Sequence, residues 1–469
     1  MKRATLMILA MTMVVGMSGW PAEQPEVPKT QETGASVAGA APAYPLKVSA
    51  NGRYLVDQKA APFLITGDSP QALMVNLSEK DAEFFFANRQ SHGFNTVWIN
   101  LLCRNGTGGR ADGSTLDGLL PFKKADDLAT PNEAYFGRCD RMIRLAEKHK
   151  LLVILDPCET IDHLKPMLKN GPEKCREFGR YLGSRYKDFD NILWMHGNDF
   201  QTWKNADHDV VVQAVARGIR DKDSRHLHTV ELDYLVSGSL DDPSWAPLID
   251  VNASYTYYPT YAQVLKDYNR ENAKPVVMIE SCYEFEQGST PAVLRRQAYW
   301  SILGGATGQL YGNGYTWPFK PGWKDKLDTP GAKAMRYVQG LFLPRAWHQL
   351  VPDRKHTVVT DGFGTFDATT TRGNAYGMTS DYVTAGRTPD GNLVMAYLPS
   401  LRTVTVDMTQ LRAPATAHWY DPSRGTYARV EELPLANTGK HKFTPPGTNG
   451  DGDGDWVLVL ETKPPPSGK

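Results

Sequence analysis

The sequence predicts a (β/α)8 TIM barrel followed by a C-terminal all-β sandwich domain. Eight short apolar runs, with helical patterns between them, follow one another over about 280 residues, and eight is the strand count of such a barrel. After Pro352 the chain changes to short alternating runs split by Gly, Pro, Asn and Asp, which are typical of a sandwich. We therefore expect residues 44–352 to form the barrel and residues 353–462 the sandwich.

The apolar runs are the predicted barrel strands. A small β lead-in with a turn at Asn51-Gly52 precedes them. The predicted strands are residues 63–66, 94–99, 151–155, 192–195, 226–232, 251–255, 276–279 and 309–311. The predicted helices are residues 77–92, 135–149, 174–185, 210–220, 261–268 and 290–303, the first with Ser78 as N-cap. A doubly wound open sheet competes, but no Gly-rich phosphate turn follows the first strand, which disfavours its nucleotide-binding version.

The N-terminus resembles a secretory signal. Lys2 and Arg3 precede an apolar run at residues 4–17, which is too short to span a bilayer comfortably. We expect residues 1–22 to be a signal peptide, with a retained anchor as the alternative, and residues 23–43 to be a disordered linker. The protein is then secreted or periplasmic, with no membrane attachment after signal removal. Residues 463–469 are expected to be a disordered tail.

Composition excludes some partners. Lys+Arg and Asp+Glu each number 52 among 469 residues, so the balanced charge gives no long-range attraction to nucleic acid or to anionic membranes. The 11 Trp and 21 Tyr suit carbohydrate surfaces among other uses. An odd number of cysteines leaves at least one thiol unpaired, and we expect buried free thiols rather than a Cys103–Cys158 bridge.

The stretch NILWMHGNDF at residues 191–200 is the starting point for locating a functional site. An apolar run ends at His196-Gly197, where the backbone turns easily, and Asn198 and Asp199 follow. A carboxylate just past the C-terminal end of a buried strand is where barrels place catalytic groups. The alternative is that Asp199 only caps the next helix or makes an Asx turn.

A second carboxylate stands in a matching position. Glu280 follows the buried run 276–279, so its side chain and that of Asp199 should face one cleft at the ends of strands four and seven. Glycoside hydrolysis needs such a pair, one group to protonate the leaving oxygen and one to attack or to activate water. The separation that decides between retention and inversion cannot be read from the sequence.

Other polar and aromatic side chains lie near the same strand ends. Asp68 is either a substrate contact or a buried hydrogen-bond partner, and His196 is either a site residue or a structural one. A phenol of Tyr255 or Tyr257 would keep Glu280 ionised, or would simply pack. The remaining candidates for substrate binding are Asn100 and Trp317, whose ring either faces a sugar or packs within its loop. The rival acids at strand ends are Asp156, Glu231 and Glu284, the last expected to form a structural salt bridge.

Several kinds of chemistry lack a signal. The sequence has no HExxH and no clustered His, so we expect no metal and no cofactor, and no G-x-S-x-G elbow supports an esterase. The run DGDGD at residues 451–455 resembles part of a calcium loop but lacks the other ligands, so we expect a solvated hairpin turn.

At these positions the chain resembles the apiosidase-like glycoside hydrolases, a TIM-barrel family with a C-terminal β-sandwich that carries a collagen-binding label. The matching stretches span nearly the whole barrel in order: GDSP at 67–70, GFN at 93–95, PNEAYF at 131–136, GND at 197–199, IES at 279–281, YE at 283–284, RRQAYW at 295–300 and YGN at 311–313. The collagen-binding label implies little about what the sandwich binds here.

The resemblance implies roles for three residues. Asp199 would be the general acid/base, Glu280 the nucleophile, and Asn198 a ligand of a sugar hydroxyl near the reacting carbon. Many related glycosidases have Glu as the acid, although the apiosidase-like family uses Asp. Many relatives have Trp where this chain has Gln71, so the sugar specificity is open.

Two hypotheses follow. The first is a secreted retaining glycosidase that cleaves plant-type glycosides, among them pectic, apiose-containing ones, through Asp199 and Glu280. The second is a non-catalytic carbohydrate-binding or scaffold protein on the same barrel, which the presence of both carboxylates disfavours. In both cases the partner is a carbohydrate, and the sequence does not define the oligomeric state.

Overall fold

The structure is a computed structural model that describes residues 41–201, 205–233, 236–368, 379–430 and 433–462. The expected signal peptide, nearly all of the expected linker and the expected tail lie outside these residues. Within the described part of the chain, no helix combines the length and the apolar character that crossing a membrane requires.

A small antiparallel sheet opens the described chain, as expected from the lead-in pattern. Its strands are β1 (Lys47–Val48), β2 (Leu55–Val56) and β3 (Pro62–Phe63). Leu46 and Leu55 pack against Leu152 and Leu193, which lie at the start of two barrel strands. The lead-in sheet therefore closes the N-terminal end of the barrel interior.

The predicted barrel is present and nearly closed. Its eight parallel strands are β4 (Ile65–Asp68), β5 (Thr96–Asn100), β6 (Leu152–Asp156), β7 (Ile192–Phe200), β8 (His228–Leu232), β10 (Asn252–Thr256), β11 (Val276–Glu280) and β12 (Gly308–Tyr311). The short β9 (Val236–Gly238), which the sequence did not predict, pairs antiparallel with β10. Between β8 and β10 the ring is completed by local bonds, such as that from the Asp250 N–H to the His228 carbonyl at 2.8 Å.

Helices cover the outside of this ring. They are α1 (Leu73–Asn76), α2 (Glu79–Ser91), α3 (Glu133–Lys148), α4 (Thr160–Tyr186), α5 (Ala206–Arg220), α6 (Thr260–Tyr268), α7 (Pro291–Leu303) and α8 (Pro330–Phe342). The Ser78 hydroxyl accepts the Asp81 N–H at the start of α2, as its capping pattern predicts. The helix α4 was predicted much shorter, and its backbone breaks at Gly171 with φ 74°.

The C-terminal region is all-β in its described part, as expected. One sheet contains β13 (Val351–Pro352), β15 (Thr384–Arg387), β16 (Leu393–Leu398), β21 (Trp456–Glu461), β18 (Thr416–Asp421) and β19 (Thr426–Arg429). The other contains β14 (Val359–Asp361), β17 (Val404–Asp407) and β20 (Lys440–Phe443). An apolar core lies between the two sheets, while a separate cluster joins them to α7 and α8, where the Tyr299 and Tyr397 rings stack at 5.0 Å. All five cysteines are free and buried, as expected.

The acidic turn at residues 451–455 is not the solvated hairpin that the sequence suggested. Asp455 is buried and its carboxylate accepts two hydrogen bonds from Arg295 of α7, at 2.9 and 3.0 Å. Arg295 also donates to the more exposed Asp453 at 2.6 Å and Asp451 at 3.4 Å. The turn therefore neutralises a buried cation of the barrel, a long-range contact that local sequence does not reveal.

We predict that Asp455→Ala lowers the free energy of unfolding by about 3 kcal/mol, because it removes a buried partner of a buried guanidinium. Urea denaturation would measure the change. Asp451→Asn is the matched control, since its exposed contact should contribute less than about 1 kcal/mol. Equal losses for the two variants would contradict a special role for the buried pair.

Candidate active site

Asp199 and Glu280 lie at the same end of the barrel. Asp199 is the penultimate residue of β7, and Glu280 is the last residue of β11. Parallel barrel strands place their carboxyl ends at one mouth, which is where barrel enzymes carry their chemistry. The charge of Asp199 acts directly on the Glu280 carboxyl, so the structure brings the two groups together.

Asp199 owes its position to a wide bulge in β7. His196 pairs with Val230 of β8 and Phe200 pairs with Leu232, so three residues of β7 lie opposite a single residue of β8. All three have positive φ: 109° at Gly197, 66° at Asn198 and 56° at Asp199. Such a conformation costs roughly 1–3 kcal/mol for each non-glycine residue and is concentrated at functional sites.

Glu280 is also placed by a bulge. In the β10–β11 pair, Ser254 lies opposite Met278 but Tyr255 lies opposite Glu280, so Ile279 is the extra residue. Bulges re-aim side chains next to active sites. Here the bulge places a tyrosine of β10 directly beside the second carboxyl.

Tyrosine hydroxyls surround Glu280. The Tyr257 hydroxyl donates to Oε1 at 2.7 Å and the Tyr283 hydroxyl donates to Oε2 at 2.8 Å. The Tyr255 hydroxyl donates to that of Tyr257 at 3.0 Å and lowers the pKa of both Asp199 and Glu280, so it lies between the two carboxyls. The predicted role of Tyr255 and Tyr257 as partners of Glu280 thus matches the observed contacts.

Burial raises the pKa of both carboxyls. For Glu280, burial together with the charge of Asp199 raises the pKa to about 8, against the opposing effect of the tyrosine hydroxyls. For Asp199, burial followed by the charge of Asp233 raises the pKa to about 6. Between these values the two carboxyls together hold one proton.

Hydrogen bonding indicates where that proton resides. The two pKa values alone would put it on Glu280, the reverse of the sequence expectation. However, both Glu280 oxygens accept from hydroxyls, which favours the carboxylate, whereas Oδ1 of Asp199 is buried without a partner among the described residues. A neutral carboxyl tolerates such a position far better than an ionised one, so we assign the proton to Asp199.

Asn198 is held from three sides. Its Oδ1 accepts from Asn100 Nδ2 at 3.1 Å, and its Nδ2 donates to Glu231 Oε2 at 3.4 Å. Its carbonyl accepts from the Thr160 hydroxyl at 3.0 Å. These contacts keep the amide beside Asp199, where the resemblance places a ligand of a sugar hydroxyl.

Asn100 and His196 have buried partners within the protein, and their contact with substrate stays a prediction. Asn100 is fully buried, and its Oδ1 accepts from Trp98 Nε1 at 2.9 Å while its amide group orients Asn198. His196 is buried with its Nε2 at 3.1 Å from His228 Nδ1, and its ring stacks on Trp245. Burial lowers the pKa of His196 to about 3.

Asp68 has the buried hydrogen-bond partners given as the alternative to a substrate contact, and the substrate contact stays a prediction. It is fully buried, with Oδ2 at 3.1 Å from Arg89 Nη1 and Oδ1 accepting from the Ser69 N–H at 2.7 Å. Glu284 is structural, as expected, but without the expected salt bridge. Its carboxylate accepts from the Tyr311 and Thr329 hydroxyls at 2.5 and 2.6 Å and from the Gly331 N–H at 3.1 Å, at the start of α8.

Trp317 remains a candidate sugar contact. It follows β12, its ring is partly exposed, and its Nε1 donates to Glu286 Oε1 at 2.8 Å. The loop after β11 thereby fixes the orientation of a ring on the loop after β12. An indole that is fixed on one edge and open to solvent is suited to pack against a sugar.

Sequence reasoning did not assign Tyr283 and Gln71 to the site. Tyr283 donates to Glu280, and Gln71 Nε2 donates to the Tyr283 hydroxyl at 3.1 Å. Both residues had been noted, Tyr283 in a matching stretch and Gln71 as a departure from relatives. Their contacts arise from two loops 212 positions apart, which no local pattern shows.

The described residues contain no group of three or more His, Cys, Asp or Glu side chains arranged to hold a metal ion. The arrangement they do contain is a pair of buried carboxyls, a tyrosine network and a partly exposed indole. Such a pair can protonate a leaving oxygen and attack an electrophilic carbon, which is the chemistry of glycoside hydrolysis.

Comparisons with known proteins agree with this geometry. The family model "Apiosidase-like, catalytic domain" matches residues 49–349, and the model "Putative collagen-binding domain of a collagenase" matches residues 368–461. No curated protein matches the chain.

Solved structures share the fold over both domains. One described as a glycoside hydrolase is 22% identical, with a TM-score of 0.75 over 89% of this chain and 97% of its own. A glycoside hydrolase family 5 protein from Bacteroides vulgatus is 22% identical, with a TM-score of 0.76 over 89% of this chain and 93% of its own. At this identity the likeness establishes the fold alone.

Proposed function

Because the chain belongs to the apiosidase-like family of glycoside hydrolases, we propose that it is a retaining glycosidase in which Glu280 is the nucleophile and Asp199 the general acid/base. The observation that supports these roles is the hydrogen bonding of the pair. Two tyrosine hydroxyls stabilise a carboxylate at Glu280, and Asp199 lies beside it with an unpartnered buried oxygen.

In the first step a Glu280 oxygen bonds to the anomeric carbon. The bond from that carbon to the leaving oxygen breaks, and this oxygen keeps the electron pair and takes the proton of Asp199. Esterification removes the charge of Glu280, which leaves one fewer negative charge near Asp199 and so favours its ionised form in the second step.

In the second step Asp199, now a carboxylate, takes a proton from water as the water oxygen bonds to the anomeric carbon. The bond to Glu280 breaks and its electron pair returns to the carboxylate. Asn198, held beside Asp199, would donate its remaining amide hydrogen to a hydroxyl of the sugar during both steps.

We propose plant-type glycosides, in particular apiose-containing pectic side chains, as the substrate class. Family membership supports this class, and the partly exposed Trp317 supports a sugar ring as the ligand. Hydrolysis of pectic oligosaccharides, compared with hydrolysis of aryl glycosides of various sugars, would test this substrate class. Release of only a sugar other than apiose would exclude it.

We further propose that the protein acts outside the cytoplasm. The support is the charged start and apolar run of residues 1–22, which precede the described residues. Mass spectrometry of the native protein should find a mature N-terminus close to residue 22. An intact Met1 or an unprocessed cytoplasmic protein would contradict this proposal.

Variants of the two carboxyls should respond differently to azide. Asp199→Ala should lose about 10²–10⁴-fold in kcat/KM on substrates with poor leaving groups, yet keep activity on a dinitrophenyl glycoside, whose leaving group needs no proton. Azide should raise its turnover by replacing water in the second step, and should give a glycosyl azide of retained configuration. Glu280→Ala should lose both steps, and azide should give a glycosyl azide of inverted configuration.

The stereochemistry provides the controls for this experiment. NMR of the first wild-type product should show retention of anomeric configuration, whereas inversion would refute the two-step mechanism. If Asp199→Ala is the variant that gives the inverted azide, the two roles are exchanged.

The pH dependence should be bell-shaped with a maximum between about pH 6 and 8, because burial raises the pKa of Asp199 to about 6 and of Glu280 to about 8. Only the form with one proton on the pair is active, so kcat/KM falls on either side. Tyr257→Phe removes a donor that lowers the pKa of Glu280, so the limb of the pH profile that reports Glu280 should move to higher pH. Tyr261→Phe, whose hydroxyl contacts Ser380 instead, is the control. An acid limb near pH 4, the ordinary carboxyl value, would contradict this account.

A further inference from the structure

Glu231 of β8 lies opposite the bulge of β7. His196 lies opposite Val230 and Phe200 lies opposite Leu232, so Glu231 is the one residue of β8 that faces the three-residue bulge carrying Asp199. The Glu231 side chain is fully buried. The bulge is thus built against a single acidic residue of the neighbouring strand.

The contacts of Glu231 go to each residue of the bulge. A Cβ added to Gly197 would lie 2.2 Å from the Glu231 carbonyl oxygen, so the backbone of the bulge passes directly over Glu231. The Glu231 Oε2 accepts from Asn198 Nδ2 at 3.4 Å. The backbone N–H of Asp199 also interacts with the Glu231 carboxyl, and this interaction lowers the pKa of Glu231.

These contacts fall on the strained part of the chain. Asn198 and Asp199 have φ of 66° and 56°, a conformation that L side chains adopt only when the surroundings enforce it. The Glu231 carboxyl binds the side chain of the first and interacts with the backbone N–H of the second. It therefore bears directly on the torsion angles that aim the Asp199 side chain.

A purely structural reason for this acid is weak. Glu231 is buried near three further carboxyls, those of Glu280, Asp199 and Asp156, and all three raise its pKa. Its Oε1 is buried without a hydrogen-bond partner among the described residues. A neutral or apolar residue would be more favourable for stability at this position. The contacts of the carboxyl with the bulge are therefore the better explanation for an acid here.

We propose that Glu231 is a positioning residue for the general acid/base. By holding the left-handed turn at Asn198 and Asp199 from the opposite strand, it keeps the Asp199 carboxyl aimed at the oxygen of the leaving group. This inference rests on the proposed function, because it gives Glu231 no role apart from that of Asp199.

The dependence on the leaving group separates this role from a structural one. If the Asp199 carboxyl is misplaced, only steps in which it transfers a proton should slow down. The first of these steps is protonation of the leaving oxygen, and kcat/KM measures it. Glu231→Ala should therefore lower kcat/KM by about 10²-fold on a glycoside with a poor leaving group, the order of loss expected for a misplaced catalytic group. It should lower kcat/KM on the dinitrophenyl glycoside far less.

Two further variants sharpen the test. Glu231→Gln keeps an oxygen that can accept the Asp199 N–H and should restore most of the activity on the poor leaving group. Glu231→Asp keeps the acid but withdraws it by one methylene, and should show the same selective loss as Glu231→Ala. It also provides the comparison if the alanine variant does not fold.

Asp156→Asn is the matched control. Asp156 is another fully buried acid at the end of a barrel strand, with Oδ2 unpartnered among the described residues, but it lies on β6 and does not face the bulge. Any effect of Asp156→Asn should be equal on the two substrates. Equal losses on both substrates for the Glu231 variants would overturn the inference, whereas a wild type that cleaves no glycoside would overturn the proposed function itself.

Discussion

The site depends on one electrostatic constraint: Asp199 and Glu280 are both buried, and the charge of Asp199 raises the pKa of Glu280. The surroundings of the two carboxyls differ. Hydroxyls of Tyr257 and Tyr283 donate to Glu280, whereas an oxygen of Asp199 is buried without a partner among the described residues. The hydroxyl donors favour the ionised form of Glu280, and the absence of such a donor at Oδ1 favours the protonated form of Asp199, as the proposed roles require.

The backbone meets this constraint by departing from regular strand geometry twice. One extra residue in β11 puts Glu280 opposite Tyr255, and three residues of β7 against one of β8 put Asp199 into a left-handed turn. Both departures lie at the carboxyl ends of otherwise buried strands. The rigid ring supports the strained turn, and the sandwich supports the ring from outside by packing on α7 and α8.

Much of this architecture could be predicted from local pattern. The apolar runs located all eight parallel strands to within a few residues, and the residues that end the fourth and seventh runs identified Asp199 and Glu280. The local sequence pattern did not show hydrogen-bond partners that lie far away in the sequence. Asp68 follows a strand as a catalytic acid would, but Arg89, 21 positions later, binds it in the core. Likewise, the local sequence of the acidic run at residues 451–455 predicts a solvated turn, but in the structure Arg295 donates to Asp455.

Gln71 and Trp317, the two residues that bear on sugar specificity, lie in different surroundings. Gln71, which differs from the Trp of many relatives, donates to the Tyr283 hydroxyl and is as buried as Glu280, with 6% of the surface of each residue exposed. A change at this position therefore removes a donor to the hydroxyl that in turn donates to Glu280. Trp317 differs, because its ring is partly exposed and Glu286 fixes only its polar edge. Trp317 is therefore the candidate for contact with the sugar, whereas the Tyr257 and Tyr283 hydroxyls donate to Glu280 and favour its ionised form.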